Sequence, residues 1–122
     1  MPPQNVVFEF VDALPQDHSN WRVVPIGPGV RSKEKLLARY QQSLEFPPYF
    51  GENWDALEEC LLDLSWLPKS GVLIWHQSDA PLGRLQLPVY LDLLQGVIQK
   101  SRGTDYPVRV LFPTSAQQTL QR

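Results

Sequence analysis

The sequence of 122 residues predicts one small α/β domain, in which helices pack against a short parallel β-sheet. Short runs of β-forming residues alternate with longer segments in which apolar residues recur at three- and four-residue steps. One of these runs, residues 72–75, is apolar throughout, which is typical of a strand buried on both faces. The chain is long enough to bury a core but too short for two domains of ordinary size.

Two strands are predicted before the first helix. Residues 6–11 (VVFEFV) and 21–26 (WRVVPI) are rich in residues that favour strands, and a polar loop separates them. Pro25 has no backbone N–H to donate to a neighbouring strand, so the second strand should end there or lie at an edge of the sheet.

The first helix is predicted to begin at Ser32, after a Gly-Pro-Gly break, and to run to about Leu44. Lys33, Lys35 and Arg39 should lie on its outer side, where they are either solvated or support the following acidic segment from behind. Its predicted buried residues are Leu36, Leu37, Tyr40 and Leu44.

The second helix follows a loop that contains two prolines and three aromatic residues. Asn53 is a suitable N-cap, because its side-chain oxygen can accept a hydrogen bond from a free N–H of the first turn. Apolar residues then recur at helical spacing and predict a buried stripe, with Cys60 beside it as a small buried hydrophobe. The stripe consists of Trp54, Leu57, Leu61 and Leu64.

The last part of the chain predicts a strand, a helix, a strand and a tail. After the apolar strand, residues 79–83 should form a loop with a short helical turn. Residues 88–100 predict a helix with Pro88 in its first turn, and residues 108–112 predict the final strand. Residues 114–122 are polar and are expected to form a mobile tail. The predicted inward residues of the helix are Val89, Leu93, Leu94, Val97 and Ile98.

The second helix and the loop before it are strongly acidic. Between Tyr40 and Pro68 there are six carboxylates and no Lys or Arg, although the whole chain carries a net charge of only −2. Asp55, Glu59 and Asp63 follow one another at four-residue steps and should form one exposed ridge, which Glu52 and Glu58 widen. The helix macrodipole favours the two acids nearest its N-terminus, and a solvated face remains one interpretation. The other is a surface that binds a cationic partner.

Residues 48–57 (PYFGENWDAL), followed by Cys60-Leu61, resemble the signature of the barstar family, intracellular inhibitors of the secreted ribonuclease barnase. A weaker similarity in the order of elements extends from about Trp21 to Phe112. The resemblance implies a two- or three-layer α/β fold with a three-stranded parallel sheet and packed helices. Residues 1–20 would be an N-terminal extension, with a possible extra strand that pairs as a hairpin partner, residues 21–112 the core, and residues 113–122 the polar tail.

The resemblance also implies a function and a binding surface. In this family the loop and helix cover the active site of a ribonuclease, and helix carboxylates contact the basic residues that would hold RNA phosphate. Here Asp55 and Glu59 would be the phosphate mimics. The residues expected to bind the partner are Tyr49, Gly51, Asn53, Trp54, Asp55, Glu58, Glu59 and Asp63.

Three of these positions depart from the family pattern. Glu59 stands where the family has Asp, Glu58 where it has Trp, and Trp54 where it has Leu. The changes are compatible with inhibition but bear on the identity of the target. The partner is expected to be a basic protein, either a secreted or toxin ribonuclease or, as the alternative, a basic protein that is not a nuclease.

Other classes of function find less support in the sequence. No nucleophile is accompanied by a base, and His18 and His76 are expected to be structural or solvated, so no enzyme activity or cofactor is predicted. Asp55 and Glu59 could share a divalent ion, but the sequence has no loop of alternating oxygen ligands and no Cys/His cluster. Direct binding of nucleic acid is also not expected, because phosphates would be repelled where the aromatic residues lie.

The sequence finally predicts where the protein acts. No apolar run approaches the roughly 20 residues that cross a bilayer, and the first residues lack a basic signal-peptide region. The single cysteine excludes an internal disulfide, which fits a reducing compartment. We therefore expect a cytoplasmic protein without membrane association that is a monomer when it is not bound.

Overall fold

Four parallel strands and four helices make up the fold in the computed structural model, which describes residues 8–48, 50–51, 53–78 and 82–120. In chain order the elements are β1 (Phe8–Phe10), β2 (Trp21–Ile26), α1 (Lys33–Leu44), α2 (Trp54–Asp63), β3 (Gly71–His76), α3 (Leu87–Ser101), β4 (Val108–Phe112) and α4 (Ala116–Leu120). The strand order is β1-β4-β3-β2. The predicted α/β class with a parallel sheet is confirmed.

The positions of β2 and β3 in the sheet agree with their sequences. β3 lies between β4 and β2, and its residues Val72 to Ile74 are at most 1% exposed, as a strand covered on both faces requires. β2 is an edge strand, so the missing N–H of Pro25 leaves no gap inside the sheet.

The N-terminal strand does not form a hairpin, and this part of the prediction was wrong. β1 pairs in parallel with β4, with Phe8 opposite Val110, and therefore lies at the edge of the sheet opposite β2. A hairpin needs a short turn between its two strands. Ten residues separate β1 from β2, and this longer connection crosses the sheet from one edge to the other. The sheet thus has four strands in the described residues, and β1 is the possible extra N-terminal strand added to the three that the resemblance implied. An ion pair joins β1 to β4, in which Nη2 of Arg109 lies 2.6 Å from Oε1 of Glu9.

The helices pack on one face of the sheet. Buried residues of α1, α2 and α3 share one apolar cluster with alternate residues of the strands, such as Val24, Ile74 and Val110. The opposite face carries a smaller cluster of Leu73, Trp75 and Leu111, against which residues of the β1–β2 loop pack. Of the two layer arrangements expected, the described residues therefore have two layers, with a loop instead of helices on the second face.

Both predicted N-caps are present. The Ser32 hydroxyl accepts from the N–H of Lys35, and the Asn53 side chain accepts from the N–H of Ala56 at 2.8 Å. α2 ends where Leu64 adopts a left-handed conformation, φ 53°, and remains buried in the core.

Two expectations for the C-terminal part need correction. Val89 was expected to be buried but is 45% exposed, and Tyr90 fills the core position instead. The predicted mobile tail contains α4, whose Ala116 is fully buried and whose Leu120 packs against the core. One apolar turn is enough to fix this segment, although its other residues are polar. Of the predicted loop 79–83, residues 79–81 lie outside the described residues.

A chain of buried hydrogen bonds connects two helices to the sheet. His76 contacts the carbonyl oxygen of Leu111 through Nδ1 at 3.0 Å and the hydroxyl of Tyr90 through Nε2 at 2.7 Å, and the hydroxyls of Tyr90 and Tyr40 are 2.6 Å apart. All three side chains are fully buried. Since a carbonyl oxygen can only accept, Nδ1 carries the proton and Nε2 accepts from Tyr90. His76 therefore has the structural position expected for it.

Candidate partner-binding surface

The start of α2 is fixed by aromatic residues buried in the preceding loop. Phe46 and Phe50 are each 6% exposed, and their ring centroids are 4.9 Å apart. The N–H of Phe50 donates to the carbonyl of Pro47 at 3.0 Å, which closes a turn just before Gly51. Exposed Gly51 and Asn53 lie between this anchor and the helix. Two residues of the prediction lie outside the described residues. They are Tyr49, which was expected to bind the partner, and Glu52, which was expected to widen the row of acids.

Three carboxylates of α2 are exposed along the helix as the spacing predicted. Asp55, Glu59 and Asp63 all have exposed side chains. No Lys, Arg or His nitrogen of the described residues lies within 4.0 Å of these carboxylates. Asp63 accepts one hydrogen bond, from the backbone N–H of Ser65 at 3.3 Å. We refer to Asp55, Glu59 and Asp63 as the acidic ridge.

Two other acids of the segment are partly neutralised by the protein itself. The carboxylate of Glu58, which is only half-buried, lies 3.9 Å from the ammonium group of Lys100 on α3. Glu45 pairs with Arg22 at 3.1 Å. Exposed ion pairs of this kind contribute little to stability, about 0–1 kcal/mol, but they reduce the local negative charge. The strongest negative field therefore comes from the acidic ridge.

The effect of the ridge is visible at Cys60. This thiol is 7% exposed and lies beside the predicted apolar stripe, as expected. Burial raises its pKa, and the negative charges of Asp63 and Glu59 raise it further. A thiol with a raised pKa is less often the reactive thiolate, which agrees with a structural role for Cys60.

Trp54 is held in place by α1 and α3. Its indole N–H donates to the side-chain oxygen of Gln86 at 3.0 Å, and its ring lies 5.8 Å from that of Tyr90. The ammonium group of Lys33 is 5.3 Å from the centre of the ring, a cation–π contact. Trp54 is half-buried, so the predicted stripe is buried fully only from Leu57 onward. Lys33 therefore contacts the first residue of α2, which is compatible with one of the two roles considered for it.

A groove of about 400 Å³ separates the exposed sides of α2 and α3. Asp55, Trp54 and Glu58 line it from α2, and Val89 and Asp92 line it from α3. Reasoning from the sequence missed Asp92, because no local pattern shows that its helix packs beside α2. The groove continues the surface of the acidic ridge and adds one exposed carboxylate to it.

Metal centres and membrane-spanning helices are absent from the described residues. Among them, no group of three or more His, Cys, Asp or Glu residues is arranged to hold a metal ion. None of the helices in this part of the chain is both long and apolar enough to cross a membrane. The acidic ridge and the adjoining groove are the candidate partner-binding site, because the ridge carboxylates are exposed and have no cationic partner among the described residues.

Comparison with protein families gives a match over most of the chain. The sequence model of a family described as Barstar (barnase inhibitor) matches residues 22–113, which include the acidic ridge and all of α1, α2, α3 and β3. No curated protein matches the chain. The matched region leaves out β1, so the additional edge strand lies outside the part that the family shares.

Proposed function

The chain belongs to the barstar family of barnase inhibitors, and from this membership we propose that it inhibits a ribonuclease by covering the basic active site of that enzyme with the surface of α2. Asp55 and Glu59 would occupy the positions of RNA phosphates. Tyr49, Gly51, Asn53, Trp54, Glu58 and Asp63 would complete the contact surface. The protein would act stoichiometrically, as an immunity protein or antitoxin, and would carry out no reaction of its own.

One observation carries this proposal. The carboxylates of the acidic ridge are exposed and have no cationic partner within 4.0 Å among the described residues. Like charges four residues apart destabilise a helix by about 0.2–0.5 kcal/mol per pair, so the arrangement has a cost in the free protein. A cationic active site would remove that cost on binding.

The chemistry of the target explains why this arrangement inhibits. A ribonuclease needs positive charge around its active site to hold the phosphates of RNA. Carboxylates with an opposite, complementary field compete for the same groups and also accelerate encounter. Barnase and barstar are themselves a standard example of such electrostatic steering. The expectation that opposite charges accelerate association is therefore taken from the family.

A specific observation favours a second candidate, a basic partner that is not a nuclease. Glu58 replaces the aromatic residue of the family pattern, and the structure pairs it with Lys100 at 3.9 Å. Trp54, in turn, has its N–H engaged by Gln86. The surface beside Asp55 thus differs in shape from the family pattern, and a different basic protein could fit it.

The proposal is tested first with barnase as the probe. Asp55→Ala and Glu59→Ala should each weaken inhibition by about 2 kcal/mol or more, roughly thirtyfold, because each would leave a buried cation of the nuclease unpaired. Asp17→Ala is the matched control, since Asp17 is an exposed acid in the β1–β2 loop, whose Val11 and Leu14 pack on the other face of the sheet. Unchanged inhibition by both ridge variants would refute the assigned surface.

The two candidate functions are separated by capture of the natural partner. The immobilised protein should retain a basic protein from the cells that make it, and the Asp55→Ala/Glu59→Ala double variant should not. The first candidate would be supported if the captured fraction has ribonuclease activity and if adding more of the protein suppresses that activity. A captured basic protein without ribonuclease activity would support the second.

A further inference from the structure

A cleft of about 280 Å³ lies on another part of the surface, where the chain leaves β2 and enters α1. The loop contributes Gly27, Gly29 and Val30 to its walls, and Lys35 and Arg39 line it from α1. No atom of the described residues lies within 4 Å of the position that a Cβ on Gly29 would take, so on their side the loop backbone is open to an approaching group. The cleft is formed by a different helix from the one that carries the acidic ridge.

The cations of this cleft are not neutralised within the described part of the chain. Lys35 and Arg39 are one helical turn apart, and no carboxylate of the described residues lies within 4.0 Å of either. Among the other described cations, Arg22, Lys69, Lys100 and Arg109 each have an acidic partner, whereas Arg31, Lys33, Arg84 and Arg102 have none within 4.0 Å in this part of the chain. Two positive charges one turn apart repel each other in the free protein.

Arg39 provides a second and independent observation. Its Nε atom is buried and has no hydrogen-bond acceptor among the described residues. Buried donors are nearly always satisfied, and leaving one without an acceptor costs about 1–3 kcal/mol, more when the group is charged. Arg39 as a whole is only half-buried and lines the cleft, so an anion can approach its guanidinium from that side and offset the cost of its uncompensated charge.

We propose that this cleft binds a phosphate dianion, either inorganic phosphate or the phosphate group of a small organic ester. The two positive charges of Lys35 and Arg39 match the charge of about −1.5 to −2 that a phosphate monoester carries at pH 7. The planar guanidinium of Arg39 can donate two parallel hydrogen bonds to phosphate oxygens. Buried Val30 and the exposed methyl group of Ala38 provide an apolar wall beside the charges. The site does not depend on the proposed inhibition of a ribonuclease.

The test is an NMR titration of the ¹⁵N-labelled protein with inorganic phosphate at pH 7, with sodium chloride added to hold the ionic strength constant. The Arg39 Nε–Hε resonance and the amides of Gly27 and Gly29 should shift and reach saturation. A parallel titration with glycerol 3-phosphate examines the organic ester, and one with acetate examines a singly charged anion. Acetate should bind more weakly than phosphate because it has one charge fewer.

Variants connect the shifts to the two cations. Arg39→Gln should weaken phosphate binding about tenfold or more, and Lys35→Gln should weaken it less, because Lys35 is exposed. Arg102→Gln is the matched control, since it removes an exposed arginine beyond the end of α3 and should leave the affinity unchanged. The amide spectrum of each variant shows whether the fold is intact. If Arg39→Gln does not fold, Arg39→Lys keeps the charge, lacks the Nε–H, and should also bind less tightly.

Several results would overturn the proposal. Shifts that rise in proportion to phosphate without saturating would show only general screening of charge. If Arg39→Gln binds phosphate as tightly as the wild type does, Arg39 is excluded as a ligand. The same holds for Arg39→Lys where that variant has to replace Arg39→Gln. An equal response to acetate would exclude the assignment to a dianion.

Discussion

Replacing Tyr90 by Phe should destabilise the protein strongly, although it removes one oxygen atom. In the folded protein the Tyr90 hydroxyl donates to Nε2 of His76 at 2.7 Å and accepts from the Tyr40 hydroxyl at 2.6 Å. Burial raises the pKa of both tyrosines, so both hydroxyls keep their protons. Without the Tyr90 oxygen, one acceptor on His76 and one donor on Tyr40 remain buried and unsatisfied.

The magnitude follows from the number of groups left without partners. Each buried polar group that loses its partner costs about 1–3 kcal/mol, and we therefore expect a loss of about 2–4 kcal/mol, since the removed hydroxyl itself no longer has to be buried. A domain of this size is stabilised by only about 5–15 kcal/mol in total. The ring of Tyr90 stays, so its contacts with Trp54 and Tyr40 are kept.

Urea denaturation followed by circular dichroism measures this loss. Tyr106→Phe is the matched control, because the Tyr106 hydroxyl makes one hydrogen bond, to the carbonyl of Leu67 at 2.7 Å, and is only partly buried. Tyr106→Phe should cost about 0.5–1.5 kcal/mol. Tyr40→Phe should cost less than Tyr90→Phe, because Tyr90 could still donate to His76. A Tyr90→Phe variant as stable as Tyr106→Phe would refute the reasoning.

Three further predictions concern pH, packing and salt. Burial lowers the pKa of His76 from 6.5 to about 4, so the unfolded state binds a proton more readily than the folded state between these pH values. The contribution of neutral His76 to the free energy of unfolding should be fully present above about pH 6.5. The free energy of unfolding should fall by about 3 kcal/mol as the pH drops to about 4. Urea midpoints measured over this pH range for wild type and for His76→Gln would show whether His76 causes the loss. A methyl group on Gly71 would lie 2.4 Å from the ring of Trp21, so Gly71→Ala should cost about 1–3 kcal/mol in the free energy of unfolding. Gly83→Ala should be nearly neutral, because no atom of the described residues lies within 4 Å of the added methyl group. Equal effects of the two substitutions would contradict this packing argument. If the acidic ridge binds the nuclease, added salt should lower the association rate much more than it raises the dissociation rate. Stopped-flow kinetics at several salt concentrations measure both rates. An association rate that does not depend on salt would contradict a phosphate-mimicking surface.

Much of the local structure could be predicted because its signals are short-ranged. β2 and β4 have the predicted bounds, both N-caps form at the predicted residues, and Asp55, Glu59 and Asp63 share an exposed side of α2. Apolar spacing, a capping side chain and a proline act within a few residues of themselves. The family resemblance came from one continuous segment around α2, and the family match over residues 22–113 confirms it.

Contacts between distant segments could not be predicted in this way. Glu9 and Arg109 are 100 residues apart, and their pairing belongs to the parallel arrangement of β1 and β4 that the sequence did not reveal. Lys100 reaches Glu58 only because α3 packs beside α2, and this pairing separates Glu58 from the unpaired acids of the ridge. Val89 and Tyr90 illustrate the same limit, since one step of helix rotation decides which of them enters the core.

The sequence by itself therefore determined the α/β class, most elements and the charge of the surface on α2. Only the tertiary structure decided which charges stay unpaired, that β1 adds an edge to the sheet, and that Arg39 and Lys35 share a cleft with the β2–α1 loop. The reason is physical. Helix and strand formation depend on neighbours along the chain, whereas burial, ion pairing and clefts depend on which elements the collapse of the core brings together.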